Sequence, residues 1–138
     1  MSLSITPRWG SRTTLALRWA FGAFFITMGI VHLVLPAGLP GPLEWMYDLN
    51  STLHLLAGTA EILGGLGLIL PPLVGRAERL TAAAAAGLAL VMIGAAVWHL
   101  PRGEWPQAVG NLFVAWILAT LGTNEWRQAA QQAAATTW

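Results

Sequence analysis

The sequence contains no cysteine and no lysine, and only 9% of its 138 residues are charged. Without cysteine, the chain has no disulfide, no thiolate nucleophile and no cysteine-ligated zinc or iron–sulfur site. The net charge is +1, too low for a basic surface that neutralises phosphates, so we expect no nucleic-acid partner. The strand-like alternation of apolar and polar residues is also missing, which argues against a β-rich fold.

Hydrophobic residues take the place of the missing charges. They make up 56% of the chain, and the mean hydropathy of +0.61 predicts an integral membrane protein. Four apolar runs have about the 17–25 residues that cross a hydrocarbon core, the last at the short end of that range. These runs are residues 19–35, 52–70, 80–100 and 107–122. The first three end at Leu-Pro, where proline favours a helix stop, and the fourth follows Pro106, which suits a first turn.

We therefore predict an all-α fold, a four-helix transmembrane bundle formed by residues 19–122. Residues 1–18 and 123–138 form tails, and the second tail either prolongs the fourth helix or frays. No convincing cleavage site precedes the first run, so we expect an uncleaved first span. With four spans, six arginines share one side of the membrane and one, Arg102, lies on the other. The six are Arg8, Arg12, Arg18, Arg76, Arg79 and Arg127. This bias predicts a multi-pass cell-membrane protein with both termini cytoplasmic.

The longest connection, residues 36–51, lies on the predicted outer side, opposite the termini. It has three prolines followed by a segment with Trp45 and Tyr47 that suits a short amphipathic turn in the membrane interface. Two interpretations remain open. The segment is either a lid over a site in the bundle or a simple connection between two helices.

The second apolar run contains His54 and Glu61, which lie two turns apart on one face of a helix. The same face has small residues, whereas the opposite face has bulky Leu and Ile. In lipid, small residues mark helix contacts, so we expect the polar face to be buried in protein. An ionisable side chain at that depth is a functional-site candidate, and we predict that the Glu61 carboxyl is neutral or paired with histidine.

The three histidines lie at one predicted depth, near the outer helix ends. They are His32, His54 and His99, while Asn111 and Glu61 lie deeper. The stripes of the first and fourth helices that hold His32 and Asn111 are also rich in small residues. The pattern predicts a polar pocket open to the outer face, with Glu61 at its floor. Alternatively, each histidine is an ordinary interfacial residue, and Asn111 only holds two helices together.

The sequence resembles the DoxX-like family of small four-helix membrane proteins. The resemblance spans residues 15–122 and is sharpest at Gly58–Pro71, with Gly29-Ile30-Val31-His32 before it. It implies that the characteristic histidine and glutamate of the family correspond to His32 and Glu61. It also implies an association with oxidoreductases, by similarity to a subunit of a thiosulfate:quinone oxidoreductase.

Three functional hypotheses follow. In the first, the protein is redox-associated and binds a quinone-like lipophile, with Glu61 and His32 catalytic and with His54, His99 and Asn111 binding the ligand. In the second, it is a non-catalytic accessory or assembly subunit of a larger membrane complex. In the third, which the spacing favours less, the three histidines hold a metal or haem, with Met28 or Met92 as additional ligands. The expected partners are the lipid bilayer, a lipophilic small molecule, and a larger complex or a homo-oligomer.

Overall fold

The computed structural model describes residues 10–74 and 78–135, and these ranges are helical without any strand. Four α-helices follow one another: α1 (Ser11–Val34), α2 (Ser51–Leu73), α3 (Glu78–His99) and α4 (Trp105–Ala135). Two short 3-10 helices, Gly41–Asp48 and Leu100–Arg102, lie in the connections. The predicted all-α fold is confirmed.

The helices run alternately up and down. α1 and α3 end, and α2 and α4 begin, at the same end of the protein, which we call the loop end because it carries both 3-10 helices. Contacts of His32 with His54 and of Trp45 with His99 join the elements there. All three histidines lie at this end, as their predicted common depth requires.

Three of the helices are long and apolar enough to cross a membrane: Arg12–Val34, Ser51–Leu73 and Arg79–Arg102. The protein is therefore a membrane protein with three candidate spans in the part of the chain described. Helix α4 is longer but more polar, and it is not among them. Arg8 and Arg76, which the orientation argument includes, lie outside the described residues.

The predicted stop of the second helix at Pro71 is wrong, because α2 continues through Pro71 and Pro72 to Leu73. A proline removes one N–H donor, but its fixed φ is still compatible with a helix. The backbone N–H of Val74 reaches the carbonyl of Leu70 at 3.3 Å, which closes the last turn over the two prolines. The stop at Pro36 does hold. Leu35 adopts a left-handed conformation there, with φ 42°, and ends α1.

Helix α4 does not end near residue 122 but continues to Ala135, the first of the two alternatives for the tail. Its polar residues are satisfied within the helix, since Thr120 Oγ1 donates to the Trp116 carbonyl and Asn124 Nδ2 to the Thr120 carbonyl, both at 2.9 Å. Arg18 Nη1 also donates to Glu125 Oε1 at 3.3 Å, tying α4 to α1 at the end opposite the loops. Polar residues that are bonded in this way do not stop a helix.

Glycines bring α1 and α2 into backbone contact at two places. A Cβ added to Gly29 would lie 2.6 Å from the Gly58 carbonyl oxygen, and one added to Gly65 would lie 2.7 Å from the Gly22 carbonyl oxygen. These distances leave no room for a side chain. The predicted inward orientation of the small-residue stripes is confirmed for both helices.

Side chains from all four helices form the core. Its buried members are Phe25, Leu68, Ala85, Leu88, Ala89, Met92, Ala115, Leu118 and Leu121. On α2 the residues of the opposite face are exposed, with 61% of Leu56 and 64% of Leu63 accessible. In a membrane-spanning helix, exposed leucines of this kind face lipid, as the sequence predicted.

Candidate functional site

A cavity of about 480 Å³ lies between α2 and α3 in the half of the protein near the loop end. Its lining residues are His32, Trp45, Leu49, Leu53, Leu56, Ala57, Ala60, Glu61, Val91, Met92, Gly94, Ala95 and Trp98. Only His32 and Glu61 among them are ionisable. The expectation of a polar pocket is therefore wrong in one respect, because the walls are apolar and the polar groups occupy one side. Binding sites for small molecules commonly combine apolar walls with a few polar groups in this way.

The rim of the cavity lies on the exposed flank of the two helices. Leu53 is 38% accessible and Leu56 61%, and Gly94 of α3 is also exposed. These positions lie within candidate membrane spans, so their exposed surface faces the bilayer. A lipophilic molecule could enter sideways between α2 and α3 without passing through water.

Glu61 lies near the middle of α2 and is 5% exposed. Its Oε2 atom is buried and has no hydrogen-bond partner. The nearest basic group is Nε2 of His32 at 3.9 Å, a separation longer than a hydrogen bond. A buried carboxyl oxygen without a partner costs free energy, and such an atom in a native protein calls for an explanation.

His32 and His54 form a hydrogen-bonded pair, whose proton positions follow from one neighbour. Nε2 of His54 lies 2.9 Å from the Met46 carbonyl oxygen, which can only accept, so this nitrogen carries a proton. In a neutral His54, Nδ1 then accepts, and Nδ1 of His32, 3.0 Å away, donates to it. A neutral His32 is left with a lone pair on Nε2. That lone pair is on the nitrogen nearest to Glu61.

The 3-10 helix Gly41–Asp48 covers the loop end of the cavity. Trp45 lines the cavity, and its ring centroid lies 5.9 Å from those of both His32 and Trp98. The hydroxyl of Tyr47 donates to the Pro36 carbonyl at 2.8 Å and accepts from the Leu39 amide at 2.9 Å. These contacts fold the connection back on itself, with Trp45 at the cavity wall, and the lid stays a prediction.

The predicted convergence of three rings on one cavity is wrong for two of them, because neither His54 nor His99 lines the cavity. His54 is bonded to His32, whereas His99 does not join the other two histidines. Its Nδ1 lies 2.6 Å from Oε2 of Glu104, and its ring packs against Trp45 with centroids 4.8 Å apart. The short 3-10 helix after α3 brings Glu104 back to His99, and Trp45 fills the space between His99 and the cavity. His99 therefore supports the wall from behind.

A cluster of charged residues fastens the 3-10 segment to the α3–α4 connection. Arg102 pairs with Asp48 of the segment and, at 3.3 Å, with Glu104, and its guanidinium lies 4.2 Å from the Trp98 ring centroid. The hydrogen bond with His99 lowers the pKa of the Glu104 carboxyl, and Arg102 lowers this pKa further, against the opposing effect of burial. Glu104 is therefore ionised at neutral pH and can hold both partners.

Asn111 also lies away from the cavity. It is half-buried on the inward stripe of α4, and α3 lies between that stripe and the lining residues. Within residues 10–74 and 78–135, no group of three or more His, Cys, Asp or Glu side chains could hold a metal ion. The metal or haem hypothesis gains no support from these residues.

Two contacts are not predicted by the sequence patterns, those of Glu104 with His99 and of Glu125 with Arg18. Glu104 could have been noticed as the acidic residue just beyond His99, although its return to the ring depends on the turn at Gly103 (φ 73°). Glu125, 1% exposed and paired with Arg18, could have been noticed as the charged residue directly after the fourth apolar run.

The resemblance implied that the characteristic histidine and glutamate of the family are His32 and Glu61, and the structure places both at the apolar cavity. Residues 16–121 match the DoxX-like family. The chain belongs to the DoxX-like family. Neither a curated protein nor a solved structure matches it significantly. In this DoxX-like protein, His32 and Glu61 both lie within the matched range and both line the cavity.

Proposed function

We propose that this DoxX-like protein binds a lipophile of the quinone class in the α2–α3 cavity and acts as a redox-associated membrane protein. The observation that carries the proposal is Oε2 of Glu61, a buried acceptor or donor without a partner at the wall of an apolar cavity. A ligand with a ring oxygen would supply the missing hydrogen bond. Its apolar ring would occupy the space beside Trp45 and Trp98, and it would enter from the bilayer.

The two ionisable groups suit both redox states of such a ring. A neutral Glu61 carboxyl can donate to a quinone carbonyl, whereas the Nε2 lone pair of His32 can accept from a quinol hydroxyl. In the oxidation direction, the hydroxyl proton moves to Nε2 of His32. The proton on Nδ1 of His32 then moves to Nδ1 of His54, and the positive charge comes to rest beside the Met46 carbonyl. A redox subunit in the same membrane takes up the two electrons that the ring loses, together with the proton of its second hydroxyl.

The binding step can be tested with a short-tailed benzoquinone that quenches the fluorescence of Trp45 and Trp98. We expect saturable quenching of the purified protein in detergent. Gly94 lines the cavity and a Cβ added to it meets nothing within 4 Å, so we expect the side chain of Gly94→Leu to occupy part of the cavity. This variant should lower the affinity by about tenfold or more, the order expected when the ligand must compete with a side chain for the same volume.

Gly110→Leu is the matched control, since Gly110 also has open space at its Cβ but lies on the exposed side of α4. It should bind the quinone like the original protein. If the original protein does not bind saturably, or if both variants bind alike, the quinone proposal is wrong. The accessory role, with the protein as an assembly subunit of a larger membrane complex, would then be the better hypothesis.

We further propose that α4 is a fourth span and that both termini lie in the cytoplasm. The arginine bias supports this topology, and α4 packs along α3, which is itself a candidate span. The absence of native cysteine makes single-cysteine labelling simple. In intact cells, an impermeant thiol reagent should label Gly41→Cys, at the loop end, but not Gln131→Cys until the membrane is opened. Labelling of both in intact cells would contradict a four-span topology.

A further inference from the structure

A second cavity adjoins the first along the same pair of helices, toward the end of the protein opposite the loops. This second cavity has a volume of about 470 Å³, and its lining shares Ala60 and Val91 with the first. It extends along α3 to Leu80 and along α2 to Pro71. From Trp98 to Leu80 the α3 backbone spans about 27 Å at 1.5 Å per residue, close to the ~30 Å thickness of a hydrocarbon core. The two cavities lie end to end between α2 and α3, and we call them together the groove.

The two halves of the groove differ in chemistry. The half near the loop end has His32, Glu61 and two tryptophans, whereas the other half is lined by Ala, Val, Leu, Gly and Pro alone. A molecule that matches the whole groove has a hydrogen-bonding ring at one end and a long hydrocarbon tail at the other. Because the two cavities share Ala60 and Val91, a tail in the second cavity would belong to the molecule whose ring lies beside Glu61.

Two glycines keep the groove open. Most glycines inside these helices touch a neighbouring helix, so that an added Cβ would meet an atom within 4 Å. Gly94 lines the half of the groove near the loop end, and Gly87 lines the other half. A Cβ added to either glycine meets no atom within 4 Å. Glycine destabilises a helix interior relative to alanine, and helix packing does not explain these two positions. What they preserve is the free volume of the groove.

We infer that the groove binds the hydrocarbon tail of the same lipophile whose ring meets Glu61 and His32, so that the ligand is a long-tailed membrane quinone. This inference rests on the proposed function. A tail that moves from lipid into the groove gains no hydrophobic free energy, because lipid is equally apolar. Its contribution comes from close packing with the groove and from being tethered to the bound ring. The contribution of the tail is therefore smaller than that of the ring.

The inference is tested with two benzoquinone probes that share one ring, the first with a long prenyl tail and the second with a short tail. Gly87→Leu places a larger side chain in the half of the groove away from the loop end. Gly87 does not line the cavity that contains His32 and Glu61, so the ring site is unchanged. We expect it to weaken binding of the long-tailed probe by about threefold to tenfold, the range for a packing contribution without a hydrophobic gain, and to leave the short-tailed probe unaffected. Gly87→Ala should have a smaller effect in the same direction, and Gly110→Leu should affect neither probe.

The outcomes separate the tail from the ring. If Gly87→Leu binds both probes like the original protein while Gly94→Leu binds neither, the tail inference is wrong and the ring site stands. The inference is also wrong if Gly87→Leu releases a co-purified phospholipid without changing the affinity for the long-tailed probe, since the groove then holds an ordinary lipid chain. If the original protein binds neither probe, both the inference and the proposed function fail.

Discussion

Glu61→Leu should bind the short-tailed benzoquinone about tenfold more weakly than the original protein and yet be at least as stable to heat. Tenfold corresponds to about 1.4 kcal/mol, the size of one buried hydrogen bond. The stability result follows because Oε2 of Glu61 has no partner in the folded protein. Replacing it with an apolar side chain removes a desolvation cost of about 1–3 kcal/mol and leaves no partner unsatisfied. Binding would be measured by fluorescence quenching and unfolding by circular dichroism in detergent.

Glu125→Leu is the contrasting variant, because Glu125 is equally buried but paired. Its Oε1 lies 3.3 Å from Nη1 of Arg18, and it is far from the cavity. Its removal leaves a cation in a mostly buried position without this partner, which should lower the free energy of unfolding by about 3 kcal/mol. Quinone binding by the folded fraction should not change. Loss of Glu61 would then weaken binding without lowering stability, whereas loss of Glu125 would lower stability without weakening binding.

Glu61→Gln separates hydrogen bonding from ionisation. The amide keeps an N–H donor for a ring carbonyl, so we expect it to retain most of the affinity that Glu61→Leu loses. A clear drop in the unfolding temperature of Glu61→Leu would indicate that Glu61 stabilises the fold. In that event the free oxygen could not be taken as the sign of a ligand.

Gly58→Ala should cause a large loss of stability, because it overpacks the contact between α1 and α2. The new methyl group would lie 2.8 Å from the Gly29 carbonyl oxygen and 3.0 Å from Leu33. Backbone cannot move aside like a flexible side chain, so α1 and α2 must separate. Overpacking of this kind costs about 1–3 kcal/mol or more, against at most ~1 kcal/mol gained from the better helix propensity of alanine.

The same substitution should also weaken quinone binding. Gly58 lies one turn from His54, and Gly29 lies one turn from His32, so separation of the helices lengthens the 3.0 Å bond between the two rings. Gly65→Ala meets the Gly22 carbonyl oxygen at 2.7 Å and should destabilise the protein to a similar extent, with less effect on binding, because it lies two turns farther from the histidines. Gly110→Ala, which meets no atom, should be neutral or slightly stabilising.

These measurements also test how the glycines work. If Gly58→Ala unfolds at the original temperature, the close contact of α1 and α2 does not hold the helices together. If it is unstable but binds quinone normally when folded, the histidine pair does not depend on the spacing of these helices. Either result would be visible in the same unfolding and quenching experiments.

The sequence by itself determined that the chain has four long helical segments and which faces of α1 and α2 are buried, but not where α2 and α4 end. The reason is that burial in a membrane protein follows a local pattern. On α1, the spacing of Gly22, Gly29 and His32 marks one stripe, and on α2 the stripe with Gly58 and Glu61 lies opposite exposed leucines. The position of all three histidines at one end of the protein was predicted in a similar way, from their distance in residues to the ends of the helices.

Tertiary structure alone decided which polar groups meet. Depth along a helix does not give the direction of a ring around the bundle, so the sequence could not show that His32 turns to His54 while His99 turns to Glu104. Nor could it place Trp45 between them, since that position depends on the fold of a proline-rich connection and on the Tyr47 contacts. Backbone contacts at glycine set the spacing of α1 and α2. Only the folded structure shows that Glu61 lines an apolar cavity while its Oε2 is buried without a hydrogen-bond partner.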